Sequence, residues 1–333
     1  MRVAIVRLTA MGDIVHTLAS IQFIKKARPE TTVTWFVEEK FAGILAHNPH
    51  VDRIVPLRLH ALKRSFSFDL LRANVQAIKE AGPFDLVADV QGLLKSALVA
   101  KIAGHPVAGL DYQSAREPLA SFFYTRRYAV DCAGVAPMRF ATLLGQALGI
   151  EITEEMMRHK SPYLFYDDHE VDASVAACFD RTRPNVLVVT GASGAHKTYP
   201  IDRWIEVVER LAPTNVLLVA GSEAERRSAR TIANATDATL LPPMDLNTLK
   251  YAVDRCDLLL GGDTGPSHLA WAMNKPSIVL FGATPETMMM QTPVNLALSA
   301  GTAPHPCRFD KSDRSIATIS PSKIVEAAQR LLG

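Results

Sequence analysis

Short continuous apolar runs alternate with helix-length amphipathic segments along the whole chain. In the first half the runs at Val3–Val6, Val33–Val37, Arg53–Val55 and Leu86–Asp89 read as strands, and Asp13–Ala27 and Phe68–Glu80 read as helices between them. In the second half strands are expected at Asn185–Val189, Asn215–Ala220, Leu258–Leu260 and Ser277–Phe281. Helices near Asp202–Leu211, Glu223–Ala233 and Asn247–Asp254 separate them, and Ser322–Leu332 closes the chain behind a Ser322 cap. Strand and helix in strict alternation predict parallel α/β units. The polar stretch Asp167-Asp168-His169-Glu170 marks a join, giving domains of residues 1–165 and 166–333, with the closing helix free to pack back on the first. Two Rossmann-like domains, their parallel sheets facing across a cleft, fit this pattern best.

In open α/β sheets ligands bind beyond the carboxyl ends of the strands, so chemistry is sought in the strand-to-helix turns. The richest is Gly261-Gly262-Asp263-Thr264-Gly265-Pro266-Ser267-His268. Its glycines read as a tight turn, and a helix is expected from about Pro266 with Asp263 or Thr264 as cap. Free N–H groups at a helix start, with hydroxyls and an imidazole beside them, suit a phosphate.

The opposite turn, Met11-Gly12-Asp13-Ile14-Val15-His16, lacks a G-x-G-x-x-G order, which argues against a nicotinamide or flavin site. Asp13 reads either as a helix cap or as a carboxylate able to take a proton from a hydroxyl. Lys63 and Arg64 in a basic stretch, and Arg116 further on, are solvated charges or holders of an anionic acceptor. Lys197 follows Thr190-Gly191-Ala192-Ser193-Gly194, a loop of small residues without P-loop order. Glu225 is either a ribose ligand or an acid serving the helix dipole, and Met244 either a base-packing or a core residue.

Composition narrows the classes. In 333 residues, 48% hydrophobic and 21% charged is the profile of a water-soluble globular protein. A net charge of +2 gives no argument for nucleic-acid binding. Four scattered cysteines fit a reducing compartment as buried structural residues, and neither cysteine cluster nor H-E-x-x-H is present, so no metal is expected. No apolar run is long enough to span a bilayer, and the first residues lack the features of a signal peptide. A cytoplasmic protein, able to work at a membrane surface, is expected.

Two motifs carry a resemblance. Met11-Gly12-Asp13-Ile14-Val15-His16-Thr17-Leu18, and Asp263-Thr264-Gly265-Pro266-Ser267-His268-Leu269 followed by Phe281-Gly282-Ala283-Thr284-Pro285, resemble the bacterial heptosyltransferases of lipopolysaccharide core assembly, glycosyltransferase family 9, of GT-B fold. Trp35-Phe36-Val37-Glu38-Glu39, Asp89-Val90-Gln91-Gly92-Leu93-Leu94-Lys95-Ser96 and Ala115–Tyr124 narrow the similarity to the type I members. The resemblance implies inverting, metal-free transfer of L-glycero-D-manno-heptose from ADP-L-glycero-D-manno-heptose to the inner Kdo of Kdo2-lipid A, at the cytoplasmic face of the inner membrane, without a cofactor. By matching position it implies Asp13 as base, and Lys197 and Ser193 at the donor phosphates. Glu225 would take the ribose, Met244 the adenine and Asp263 the heptose. Thr264, Gly265 and His268 would form the phosphate-facing turn, and Lys63, Arg64 and Arg116 would hold the Kdo carboxylates.

This chain departs from the pattern at Ala10, where a serine is usual, at Ala192, and at His60 and Ala61, where arginines are found. The alternatives are a type II or later-acting core transferase, a nucleotide-sugar epimerase or hydrolase of the same fold, and a non-catalytic binding protein.

Overall fold

The computed structural model describes residues 1–192, 194–302, 304–307 and 309–333. The chain divides into two compact units, Met1–Tyr163 and Leu164–Gly333. The first holds a parallel sheet of β1 (Arg2–Val6), β2 (Thr32–Glu38), β3 (Arg53–Leu57), β4 (Leu86–Asp89), β5 (Val107–Leu110) and β6 (Arg126–Tyr128), in the order β3-β2-β1-β4-β5-β6. The second holds β7 (Asn185–Val189), β8 (Asn215–Val219), β9 (Thr239–Leu240), β10 (Leu258–Gly262), β11 (Ser277–Phe281) and β12 (Asn295–Ser299), in the order β12-β11-β10-β7-β8-β9. Counted from the first strand of each unit, both orders are 3-2-1-4-5-6, the doubly wound Rossmann arrangement. The α/β class read from the alternation is the class observed.

The inner strands are apolar through their middles, as at Val3–Val6, Leu86–Ala88, Val186–Val189 and Leu258–Leu260, because helices cover both sheet faces. Val3 pairs with Val33 on one side and Leu86 on the other, and Leu260 with Ile278 and Val188. Each fully buried aliphatic side chain of this kind contributes about 1.5–3 kcal/mol. The core of the first unit gathers Val6, Phe36, Phe84 and Val87. That of the second gathers Val188, Leu260 and Leu280 around Tyr199 and Trp204, whose rings stand edge to face with centres 5.1 Å apart. The Tyr199 hydroxyl is satisfied by the Ile319 carbonyl at 2.6 Å.

Several local expectations change. The helix expected over Asp13–Ala27 is two, Met11–Leu18 and Ile21–Ala27, joined through Ala19 and Ser20. The last helix spans Pro321–Leu332 with Ser320 as its cap, because proline fits the first helical position, where no N–H is needed. It packs on helix Ile201–Arg210 and on β10 and β11 of its own unit. The cysteines are not uniformly buried: Cys256 is, whereas Cys178 is only partly so and Cys307 is exposed.

Candidate active site

A sheet of this order opens at its carboxyl edge where the chain reverses direction. In the first unit that point lies between β1 and β4. The turn after β1 enters helix Met11–Leu18, with Ala10 as N-cap and Asp13 at the third helical position. Asp13 Oδ2 lies 3.5 Å from the Ala10 N–H, too far for capping to account for the carboxylate. The same oxygen pairs with the Arg7 guanidinium. Arg7 is buried; it donates to the Val90 carbonyl at 2.9 Å and stands 4.6 Å from the centre of the Phe140 ring. The Asp13 side chain keeps 29% of its exposure, and its Oδ1 takes part in neither contact. A carboxylate aimed by a buried cation and open on one side is equipped to take a proton. His16, one turn on, is buried.

The turn after β4 organises its neighbours. Asp89 is fully buried and accepts from the Tyr124 hydroxyl at 2.7 Å, the Ser96 hydroxyl at 2.8 Å, and the N–H groups of Gln91 at 2.9 Å and Gly92 at 3.3 Å. Burial pushes its carboxyl up, and these four donors only partly offset that. Gln91 Oε1 in turn accepts from the N–H groups of Leu8 at 2.8 Å and Thr9 at 3.3 Å, which fixes the approach to Asp13. Gly92 has φ of +67°, a left-handed conformation that favours glycine, and its carbonyl accepts the Glu117 N–H at 3.0 Å. The Arg116 turn is thereby tied to the same point.

Arg116 itself is exposed, and its neighbour Glu117 accepts the Leu94 N–H at 2.6 Å. Lys63 and Arg64 end the short helix Leu59–Arg64 and are exposed. That helix is anchored by the buried Glu38, whose Oε1 accepts the His60 N–H at 2.8 Å. Lys95 belongs to this neighbourhood as well. Burial pushes its ammonium down, the Glu38 carboxylate opposes that, and Lys63 adds repulsion. Sequence reasoning passed over Arg7, Asp89, Gln91 and Lys95 as site residues. The available signal was a charge at the end of each inner strand, Arg7 after β1 and Asp89 in β4.

In the second unit the chain reverses between β7 and β10. Helix Gly265–Ala272 starts here with Thr264 as its cap, and the cap makes no side-chain hydrogen bond to the first-turn N–H groups. Thr264 Oγ1 instead lies 3.2 Å from Ser267 Oγ. Gly261 and Gly262 are not the turn expected; they end β10, and their role is close approach. A Cβ at Gly262 would stand 2.6 Å from the Lys197 carbonyl oxygen, and one at Gly261 2.6 Å from Ser267 Oγ. That clearance brings the Lys197 backbone against the strand end.

Three predicted residues meet there. Lys197 Nζ lies 2.5 Å from Asp263 Oδ2, and His268 Nε2 3.1 Å from Asp263 Oδ1. Asp263 is buried, which pushes its carboxyl up, but the His268 hydrogen bond and the Lys197 charge outweigh this and hold it well below the usual carboxylate range. Lys197 is anchored at its charge while its side chain keeps some exposure.

Glu225 is the third residue of helix Glu223–Ala235, and its Oε2 accepts the N–H groups of Gly221 at 2.7 Å and Ser222 at 2.9 Å. It completes a capping box with Ser222. A Cβ at Gly191 would overlap the Glu225 side chain, so these two loops are in contact. Met244 is half-buried in the loop before helix Leu246–Arg255. Ser193 lies outside the described residues. Among the described residues no group of three or more His, Cys, Asp or Glu is arranged to hold a metal.

Two doubly wound units of this strand order are the architecture of the GT-B glycosyltransferases. Residues 72–314 match glycosyltransferase family 9 (heptosyltransferase), and the chain belongs to that family. A lipopolysaccharide heptosyltransferase 1 of Pseudomonas aeruginosa is 36% identical over 85% of this chain and 79% of its own. Its namesake in Campylobacter coli is 30% identical over 100% of this chain and 99% of its own. The fold is shared with the Escherichia coli heptosyltransferase WaaC with ADP, at a TM-score of 0.80 and 24% identity, covering 99% of this chain and 100% of that one.

Proposed function

We propose that this glycosyltransferase transfers L-glycero-D-manno-heptose from ADP-heptose to the inner Kdo of Kdo2-lipid A, in lipopolysaccharide core biosynthesis, with inversion and without a metal. The observation that carries this reading is the division of charge. A carboxylate open on one side, Asp13, stands at the reversal point of one sheet, and a cation, Lys197, at that of the other. Relatives named lipopolysaccharide heptosyltransferase 1 at 30–36% identity support heptose as the sugar and lipopolysaccharide as the product.

In this reaction Asp13 takes the proton of a Kdo hydroxyl as its oxygen bonds to the anomeric carbon. The bond from that carbon to the diphosphate oxygen breaks with inversion, and ADP departs with its charge met by Lys197 and the N–H groups around Thr264 and Gly265. Asp263, held by His268, anchors Lys197 and binds the heptose, and His268 completes the phosphate-facing turn with Thr264 and Gly265. Ser193 adds a hydroxyl to the phosphates. Glu225 Oε1, free of the capping bonds made by Oε2, takes the ribose, and Met244 packs on the adenine. Lys63, Arg64 and Arg116 hold the Kdo carboxylates, at the cytoplasmic face of the inner membrane.

The test is incubation of purified protein with ADP-heptose and Kdo2-lipid A, with and without chelator, followed by mass spectrometry. A gain of one heptose in both samples is expected. No gain would overturn the acceptor assignment, and a gain abolished by chelator the metal-free mechanism.

A further inference from the structure

Of the large apolar side chains exposed among the described residues, all but Met1 and Val294 fall between Phe66 and Phe122. Single exposed apolar residues are ordinary on any protein surface, whereas a cluster confined to one stretch of fold marks a contact. Phe66 and Phe68 are 63% and 78% exposed, and their rings stack edge to face at 4.9 Å where helix Phe68–Ala81 begins. Leu94 and Leu98 are exposed at the start of the neighbouring helix Leu94–Ala103. Phe122, 64% exposed on the 3-10 helix Pro118–Phe123, meets the exposed Tyr112 ring at 6.1 Å.

Topology gathers these pieces. The crossovers β3 to β4, β4 to β5 and β5 to β6 all step the same way along the sheet. Right-handed crossovers therefore put their helices on one face, and each begins at the carboxyl edge, the edge of Asp13. Helix Leu94–Ala103 packs between the other two elements, and the Glu117 carboxylate on the Leu94 N–H stitches two of them together.

The charge around the rings is basic. Lys63, Arg64, Arg72, Lys95 and Arg116 are exposed there. Of the nearby acids, Glu117 and Asp111 are turned to backbone N–H groups of Leu94 and Ser114, and Asp69 sits in the first turn of its helix. Aromatic rings and leucines ringed by lysine and arginine suit the headgroup layer of an anionic membrane.

We propose that this face of the first unit rests on an anionic phospholipid bilayer, with Phe66, Phe68, Leu98 and Phe122 entering the headgroup layer and the basic residues meeting lipid phosphates. The proposal rests on the reading of the acceptor as a lipid-anchored sugar. It adds that the acceptor reaches the Asp13 edge from the bilayer on which the enzyme sits.

The experiment uses the full chain and a Phe68→Ser/Phe122→Ser variant, neither position being part of the proposed machinery. Co-sedimentation is measured with phosphatidylethanolamine vesicles, with and without phosphatidylglycerol and free of acceptor. Transfer is measured in parallel to a deacylated Kdo acceptor in the absence of membranes. The native protein should bind the phosphatidylglycerol vesicles, and added salt should release it. The variant should bind about tenfold more weakly or worse, while transferring to the deacylated acceptor at the native rate. Native protein that ignores anionic vesicles, or a variant that binds them equally well, would overturn the proposal. So would a native dimer in sedimentation velocity that the substitutions dissolve without any vesicle binding, which would assign the face to a second copy. Vesicle binding without transfer by either protein to the deacylated acceptor would overturn the acceptor reading and leave the docking face standing.

Discussion

Lys197 and Asp263 are joined at 2.5 Å although they lie on different turns, one after β7 and one after β10, and Asp263 is buried beneath the lysine. The pair ties the proposed leaving-group cation to the rigid end of the sheet rather than to its own loop.

One consequence concerns stability. The folded carboxyl of Asp263 titrates below its unfolded value of about 3.9, so its contribution is complete above that pH and is lost as pH falls through the acid range. Lys197→Met leaves a buried carboxylate with His268 alone, and a loss of about 3 kcal/mol near neutral pH is expected in urea denaturation. The same variant should show a shallower fall in stability between about pH 5 and pH 3. Equal slopes in both proteins would refute the coupling.

Asp13→Asn tests the proposed base. The amide keeps the size of the carboxylate but takes no proton, so transfer should fall about 10³-fold with ADP-heptose affinity unchanged. Calorimetry of donor binding and single-turnover transfer check the two halves of that statement. Loss of donor binding instead would assign Asp13 a structural or donor-side role.

How far the sequence reveals this site depends on the range of each interaction. The inner strands were legible because each has an apolar middle, and the turn around Asp263 because its polar residues are consecutive. Four strands passed unread: β5, β6, β9 and β12 are outer or short, and β6 is Arg-Arg-Tyr, with no apolar run to mark it. The break at Ala19 and Ser20 carries neither glycine nor proline. The pairing of Arg7 gives no signal in the sequence, because its partner Asp13 is reached only after the chain has turned into a helix. Asp89 and Tyr124 are 35 residues apart and meet only through the sheet.

Gly191→Ala addresses the nucleotide side. A Cβ there overlaps the Glu225 side chain, which must swing away from its place on the Gly221 and Ser222 N–H groups. Because Glu225 is partly exposed, it moves at small cost, and stability should change by less than about 1 kcal/mol. ADP affinity should drop about tenfold if Glu225 takes the ribose hydroxyls. Calorimetry with ADP against ADP-heptose gives the measurement, and unchanged affinity for both would remove Glu225 from the ribose.

The Asp89 network carries the last prediction, because it sets stability and activity against each other. Burial raises the Asp89 carboxyl, so in the folded protein its ionised form is the costly one, and stability should rise as pH falls through that raised value. Tyr124→Phe removes one of four donors and leaves the charge less well held, at about 1–3 kcal/mol. Asp89→Asn removes the charge and keeps one oxygen, which stays on the Gln91 and Gly92 N–H groups while the amide NH2 turns to the Tyr124 and Ser96 hydroxyl oxygens, so its cost should be smaller. In the double variant no buried charge is left short of a donor, and the loss should be less than the sum of the single losses by about 1 kcal/mol. Each variant should also raise the KM for acceptor, because Asp89 holds Gln91 and Gly92, and through them the turns that carry Asp13 and Arg116. Additive losses, or an acceptor KM that does not move, would reduce Asp89 to an isolated buried acid.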